Sequence, residues 1–353
     1  MLVGVKTIPT AFPGGGDHNA RYLDQVMRAI RTVQTDTRFV IFTTPENHDA
    51  YEGWMRVPVQ GGGSSLMGML GRGDGLDGPI KQAKIDLLMS PMVDPYLGRS
   101  VPQALYGLDI APWERGGEPD AEWGHAPIKV VRRASQQARS IIVPSEYLRR
   151  RCLELFGTPL NKCVVVGTGV SQGLKVEERS IVEPPYLCLL VDGLAAPVLD
   201  KVHKVIELFE KEYEHTIVLL GPARTGQPDV WSDRVVRIEQ CPDSQLAGLY
   251  QHASLFWYPG LYDGSGLRVI EALTAGVPVV CARSGAIHEM VGDTPVYYNA
   301  ENADSMLQAL RRVVESDKEF RRTRINFGRQ AVTRYDWNDV AWKFLSAFKR
   351  VDG

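Results

Sequence analysis

The chain is predicted to be an α/β protein of two doubly wound domains, each a parallel sheet with helices on its faces. Three observations lead there. Strand-like β-branched runs alternate with helical patterns throughout, as a parallel sheet requires, since its strands must be joined by crossovers. The same alternation runs twice, with a polar, proline-ended stretch between the two series. The length, 353 residues with 44% hydrophobic and 23% charged, exceeds what one core usually holds.

The first series opens with the strand "MLVGV", followed by the helix "NARYLDQVMRAIRTV" and the strand "RFVIFTT". The strand-like runs "KIDLLMS", "PQALYGLDI", "SIIVPS" and "KCVVVGTGV" come later. Between Pro58 and Gly78 a glycine-rich stretch, too flexible for a packed element, reads as a mobile loop that closes over a site. "SQGLKVEERSIVEPP" reads as a linker. The second series is "YLCLLVDG", helix "KVHKVIELFEKEY", "HTIVLLGP", "RVVRIEQ", helix "DSQLAGLYQHA", "LFWYPG", helix "LRVIEALTA" and "PVVCA". An amphipathic helix, "WNDVAWKFLSAFKR", ends the sequence. The expected domains are residues 1–172 and 173–335, with 336–353 as a closing helix. Two such domains face each other across a cleft, with ligand at the carboxyl ends of strands.

Composition excludes several function classes. A net charge of -2 gives no global basic field, which argues against nucleic acid as partner. The five cysteines, Cys152, Cys163, Cys188, Cys241 and Cys281, form no CxxC pair, so neither a disulfide framework nor a zinc site is expected. The seven histidines make no i, i+4 pair, and no metal ligands are assigned. The opening residues lack a signal peptide's basic and long apolar regions, and no apolar run of about 18 residues occurs. A cytoplasmic protein is expected. "GSGLRV" and "GGGDHN" lack the third glycine of a dinucleotide fingerprint, and no GxxxxGK[ST] occurs. Residues 129–151 carry Lys129, Arg132, Arg133, Arg139, Arg149, Arg150 and Arg151. Two readings stay open there, a solvated face or a peripheral contact with anionic membrane at the inner face.

The chemistry concentrates in "LFWYPGLYDGSGLRVIEALTAG". A strand ends at Pro259, and Asp263-Gly264-Ser265-Gly266 makes a glycine turn that brings backbone close to a ligand. A helix starts near Leu267 and stops at Gly276, with Pro278 just beyond. The N–H groups of residues 265–268, Arg268 among them, point out of the helix N-terminus, an anion seat suited to a diphosphate. Glu271, among Val269, Ile270, Ala272 and Leu273, should be buried and therefore needs donors, from the protein or from ribose hydroxyls. Asp263 either caps the turn or reaches a sugar hydroxyl.

Asp263 and Glu271 are separated by seven residues. With "AGVPVVCARSGAIHEMVGD", "CPDSQLAGLYQHASLFWYPG" and "ARSIIVPSEYLRRRCLELFGTPLNKCVVVGTGV", that spacing resembles the acid-x7-Glu signature of retaining GT-B glycosyltransferases. The resemblance implies the two-Rossmann GT-B fold, with the last helix crossing back to the first domain. It implies metal-independent hexosyl transfer from a nucleotide sugar (UDP-, GDP- or ADP-linked) to a hydroxyl acceptor, with no cofactor. Asp263, Asp109 and Lys201 would be catalytic; Gly15, Gly16, Gly264, Ser265, Gly266, Leu267, Arg268 and Glu271 would bind the donor. The sequence departs from the pattern in three places: Asp263 stands where Glu is usual, Leu108 replaces a His, and Leu194 replaces an Arg. A catalytically degenerate subunit that binds a partner, such as a catalytic homologue, and a nucleotide is therefore the alternative. The fold also permits a sugar-nucleotide epimerase.

Overall fold

The computed structural model describes residues 1–7, 16–44, 48–59, 75–108, 110, 113, 126–175, 178–191, 194, 196–221, 231–239, 241–261, 263–283 and 285–349. The chain divides into two compact units: Met1–Gly169 with Asp336–Gly353, and Val170–Tyr335.

Unit 1 is a parallel sheet of β1 (Leu2–Lys6), β2 (Arg38–Thr43), β3 (Met55–Pro58), β4 (Leu87–Pro91), β5 (Gln103–Tyr106), β6 (Ser140–Val143) and β7 (Cys163–Val165). The strand order is β3-β2-β1-β4-β5-β6-β7. Its helices include α1 (Gly16–Val33), α2 (Asp77–Ala83), α3 (Ile128–Gln137) and α4 (Glu146–Phe156). Central strands read as unbroken apolar runs because both faces are covered: Leu87, Leu88 and Met89, like Ile141, Ile142 and Val143, are all buried. At the edge, Met55 of β3 is 64% exposed. Helix α4 starts where Ser145 Oγ accepts the Leu148 N–H at 3.2 Å and stops at left-handed Gly157.

Unit 2 is a second parallel sheet of β8 (Tyr186–Leu190), β9 (Thr216–Leu220), β10 (Val235–Ile238), β11 (Leu255–Tyr258), β12 (Val279–Ala282) and β13 (Val296–Tyr298). The order is β10-β9-β8-β11-β12-β13. Around it lie α5 (Ala196–Glu210), α6 (Asp243–His252), α7 (Leu267–Ala275), α8 (Ile287–Val291), α9 (Ala303–Val314) and α10 (Lys318–Ala331). On one face Val202, Val205, Ile206 and Phe209 of α5 share a core with Met306, Leu310 and Val313 of α9. Trp257, fully buried in β11, donates its indole N–H to the Tyr298 hydroxyl at 3.1 Å. In both sheets the chain fills one side and then restarts on the other, at β1/β4 and at β8/β11. Such reversals open a crevice beyond the carboxyl ends of the strands.

The expected linker is packed where it is described. Leu174 is fully buried and its carbonyl accepts from Gln251 Nε2 at 3.5 Å, while the Glu178 N–H donates to Gln251 Oε1 at 3.0 Å. A side chain at Gly248 would collide with the Arg179 carbonyl. The polarity of this stretch reflects exposed side chains, but its backbone is bonded to α6. Of the glycine-rich stretch between Pro58 and Gly78, residues 60–74 lie outside the described residues, while its end is not loop: Leu76 is buried and Asp77 and Gly78 begin α2.

The last helix, α11 (Trp337–Lys349), belongs to unit 1 and packs on α1. Trp337 meets Tyr22 edge to face at 5.2 Å, and the Tyr22 hydroxyl donates to the Gly167 carbonyl at 2.5 Å. Any side chain at Gly169 would strike the Trp337 ring. Val340, Ala341, Phe344, Leu345 and Phe348 complete the buried face.

His215, just before β9, contacts Ser254 Oγ through Nε2 at 3.1 Å, and burial, with a smaller contribution from Arg321, holds its pKa below 6.5. The unfolded chain therefore takes up this proton more readily, so the contribution to stability is intact above pH 6.5 and lost as pH falls below it. Wild type should lose more melting temperature than His215→Gln between about pH 7 and about pH 5.5. Parallel pH curves for the two proteins would remove His215 as a cause.

Candidate functional site

In unit 2 the turn after β11 stands beside the β8/β11 reversal, and Asp263 is its centre. Asp263 is 5% exposed. Its Oδ1 accepts the N–H groups of Ser265 (2.8 Å) and Gly266 (2.6 Å), with the Ser265 hydroxyl at 3.4 Å. Its backbone carbonyl accepts the Ala286 N–H at 2.8 Å. Gly285, at φ 53°, lies so close that a Cβ would strike the Asp263 backbone. The residue is thus gripped from two loops, and only glycine fits at the second. Asp263 Oδ2 is buried and without a hydrogen-bond partner among the described residues. A buried acceptor left unsatisfied costs about 1–3 kcal/mol, which a ligand hydroxyl would recover.

At the N-terminus of α7, three of the four N–H groups expected to form an anion seat at residues 265–268 are already bonded within the turn. The Ser265 and Gly266 N–H groups go to Asp263, and that of Leu267 donates to Ser265 Oγ at 3.3 Å. Gly266 takes a left-handed φ of 62°, which folds the turn back on the aspartate. The reason is side-chain length. Asp reaches backbone N–H groups two and three residues ahead, so the shorter acid closes the turn that precedes the helix.

Glu271 is 2% exposed. One donor comes from its own helix: Arg268 Nη1 lies 3.1 Å from Glu271 Oε2, with the arginine side chain 13% exposed. Lys201, near the start of α5, places Nζ 2.8 Å from Glu301 Oε2 and 3.4 Å from the Ala300 carbonyl, in the loop after β13. Leu194, where the resemblance calls for Arg, packs against the α5/α9 core. Both candidate cations are therefore carboxylate-paired. Asp263, Gly264, Ser265, Gly266, Leu267, Arg268 and Glu271 come together in one corner. Gly15 and Asp109 lie outside the described residues, and Gly16 opens α1 with only its backbone described. The supporting Gly285 and Ala286 went unnoticed in the sequence; a glycine shortly after a strand was the available signal.

In the basic stretch, Arg132 Nε donates to the Phe156 carbonyl at 3.2 Å, Arg149 pairs with Glu146 at 2.8 Å, and Arg151 pairs with Glu154. These local partners favour a solvated face. Among the described residues no helix is long and apolar enough to cross a membrane. Nor is there a group of three His, Cys, Asp or Glu able to hold a metal ion.

Residues 231–331, which contain this corner, match the family model described as Glycosyl transferases group 1. The chain is 31% identical over 122 residues to the MMP alpha-(1->4)-mannosyltransferase of Mycolicibacterium hassiacum, a match covering 34% of this chain and 30% of that protein. The match thus spans less than a third of that relative's length. Among solved structures, sucrose-phosphate synthase from Thermosynechococcus elongatus aligns over 100% of this chain and 99% of its own with a TM-score of 0.75 at 16% identity. Anabaena HepE in complex with UDP-glucose aligns over 99% of both chains with a TM-score of 0.71 at 14% identity. The fold is the GT-B type, with its two Rossmann-like parallel sheets.

Proposed function

We propose that the chain is a retaining, metal-independent glycosyltransferase that moves a hexose-type sugar from a nucleotide-sugar donor to a hydroxyl acceptor. The observation that carries this reading is Asp263: one carboxylate oxygen fixes the turn and the other is buried and unsatisfied, within the segment that matches a glycosyltransferase family. Oδ2 would accept a hydroxyl of the transferred sugar, and Glu271 the ribose hydroxyls. The bond from C1 to the diphosphate breaks as the acceptor oxygen bonds to C1 on the same face, so negative charge grows on the diphosphate. Preorganised cations near that charge are the main source of rate. Lys201 and Arg268 would supply them, while Asp109, Gly15 and Gly16 keep only the roles that the resemblance implies. Lys201 would have to leave Glu301, which is 78% exposed. An exposed pair is worth about 0–1 kcal/mol, so a phosphate displaces it easily.

A panel of UDP-, GDP- and ADP-sugars should include one that raises the melting temperature and is slowly hydrolysed. Lys201→Ala should then lower single-turnover sugar release about tenfold or more while donor affinity falls less, because the interaction strengthens as the bond breaks. No binding to any member of the panel would reject the transferase. The second reading, a non-catalytic subunit, is favoured by Leu194 packing against the α5/α9 core and by both cations being carboxylate-paired. Donor binding with zero turnover in wild type and Leu194→Arg alike would select it.

A further inference from the structure

Helix α8 is five residues long, and a helix that short has little stability of its own. Its neighbours hold it. At its start the Ala286 N–H donates to the Asp263 carbonyl at 2.8 Å. Near its end the Met290 side chain covers Gly266, where an added Cβ would come within 3.3 Å of Met290 Cγ. Helix α8 therefore meets the Asp263 turn at two points. Its last carbonyls have no partners within the helix and must be bonded from outside. The Met290 carbonyl accepts both the Tyr335 hydroxyl at 2.5 Å and Arg334 Nη2 at 2.6 Å. That Nη2 also lies 3.0 Å from the Tyr335 hydroxyl oxygen, and the guanidinium stands over the Tyr335 ring, 5.2 Å from its centre. Burial raises the Tyr335 pKa against the opposing effect of Arg334, so the phenol stays protonated and keeps donating. The carbonyls that follow are bonded too, Gly292 to the Tyr297 hydroxyl at 2.5 Å and Thr294 to Arg324 Nη1 at 3.2 Å. Tyr335 is the last residue of unit 2.

We propose that Arg334 and Tyr335 are positioning residues for Asp263, acting through α8, so that the point where the chain leaves unit 2 sets the aim of the unsatisfied carboxylate oxygen. This rests on the transferase reading and deepens it by naming two residues, remote from the sugar, that hold the site's acid in place. The path is short and runs through backbone. It leads from the Arg334 and Tyr335 donors to the Met290 carbonyl, then along one helical turn, where the Met290 N–H donates to the Ala286 carbonyl at 2.9 Å, and from the Ala286 N–H to the Asp263 carbonyl. Because Oδ1 of Asp263 is fixed to the turn, the direction of Oδ2 follows the backbone of residue 263. Reacting groups must be held to within about 0.5 Å, and a misplacement of about 1 Å costs about 10²-fold in rate. Glu271 is held instead by Arg268 on its own helix, so binding of the donor's ribose depends less on this path.

The test compares the full chain as wild type, Tyr335→Phe, Arg334→Ala and Arg334→Lys, by amide hydrogen exchange and by single-turnover sugar release from the best-bound donor. Tyr335→Phe removes one donor and leaves the ring in place. The Ala286 amide should exchange about tenfold faster in Tyr335→Phe and in Arg334→Ala, the scale of one lost hydrogen bond, while the amides of β8 and β9 keep their wild-type rates. Sugar release should fall about tenfold in both, with donor affinity within about twofold of wild type. Arg334→Lys, which can still donate to the Met290 carbonyl, should recover most of that loss. In an Asp263→Asn background Tyr335→Phe should lower sugar release by less than about twofold, because the oxygen it aims is already gone. A residue that merely stabilised the fold would cost as much there as in wild type. If Arg334→Ala does not fold, Tyr335→Phe alone decides. Unchanged Ala286 exchange, a loss of turnover matched by an equal loss of donor affinity, or the full tenfold loss in the Asp263→Asn background would each overturn the proposal and leave the transferase reading standing. A wild type that binds no nucleotide sugar brings down the transferase reading, and the positioning role with it.

Discussion

Asp263→Asn should cut single-turnover sugar release about 10²–10³-fold, the scale for one preorganised hydrogen-bonding group, while the protein melts nearly as wild type does. The two oxygens of Asp263 do different work, and the amide separates them. Its carbonyl can go on accepting from Ser265 and Gly266, and Asn forms such side-chain-to-backbone turns as Asp does. Its NH₂ replaces the unsatisfied Oδ2 with a donor that cannot receive a sugar hydroxyl's proton. Asp263→Ala should lose turnover and, in addition, about 1–3 kcal/mol of stability, because the Ser265 and Gly266 N–H groups lose their acceptor. The measurements are sugar release from the best-bound donor and calorimetric melting. Wild-type turnover in Asp263→Asn would show that the residue serves only the turn.

The largest effect on stability is expected at Trp337. Trp337→Ala should destabilise unit 1 by about 3–5 kcal/mol, the range for emptying a large aromatic site in a core. The ring closes over Gly169 and Tyr22 at once, so both lose their cover. In calorimetry the transition belonging to unit 1 should move, and that of unit 2 much less. A loss under about 1 kcal/mol would mean that α11 collapses into the space without strain.

Much of the fold was readable because buried parallel strands are continuous apolar runs bounded by turn residues. "YLCLLVDG", "HTIVLLGP" and "LFWYPG" became β8, β9 and β11. The strand β3, "MRVP", is short and mostly exposed, and β13, "VYY", has only three residues. Neither carries enough periodicity to be recognised. The linker misled because polarity reports on side chains, whereas Leu174 and Glu178 are held through backbone groups. At the site, Glu271 stood out as an acid among apolar residues and Asp263 as the acid of a glycine turn, and the family resemblance gave the pair its role. Which way their oxygens point depended on the left-handed turn at Gly266 and on Arg268 reaching along its own helix.

Unit 1 is split in the sequence, and unit 2 is an uninterrupted insert within it. On a ribosome, domains fold as units while synthesis proceeds, so unit 2 can finish while unit 1 still waits for its closing helix. During that interval the face of α1 that includes Tyr22, destined to lie beneath Trp337, is uncovered. The nascent chain thus carries an apolar face for the whole time that residues 170–335 are being translated, an opening for chaperone capture that ends only when α11 emerges.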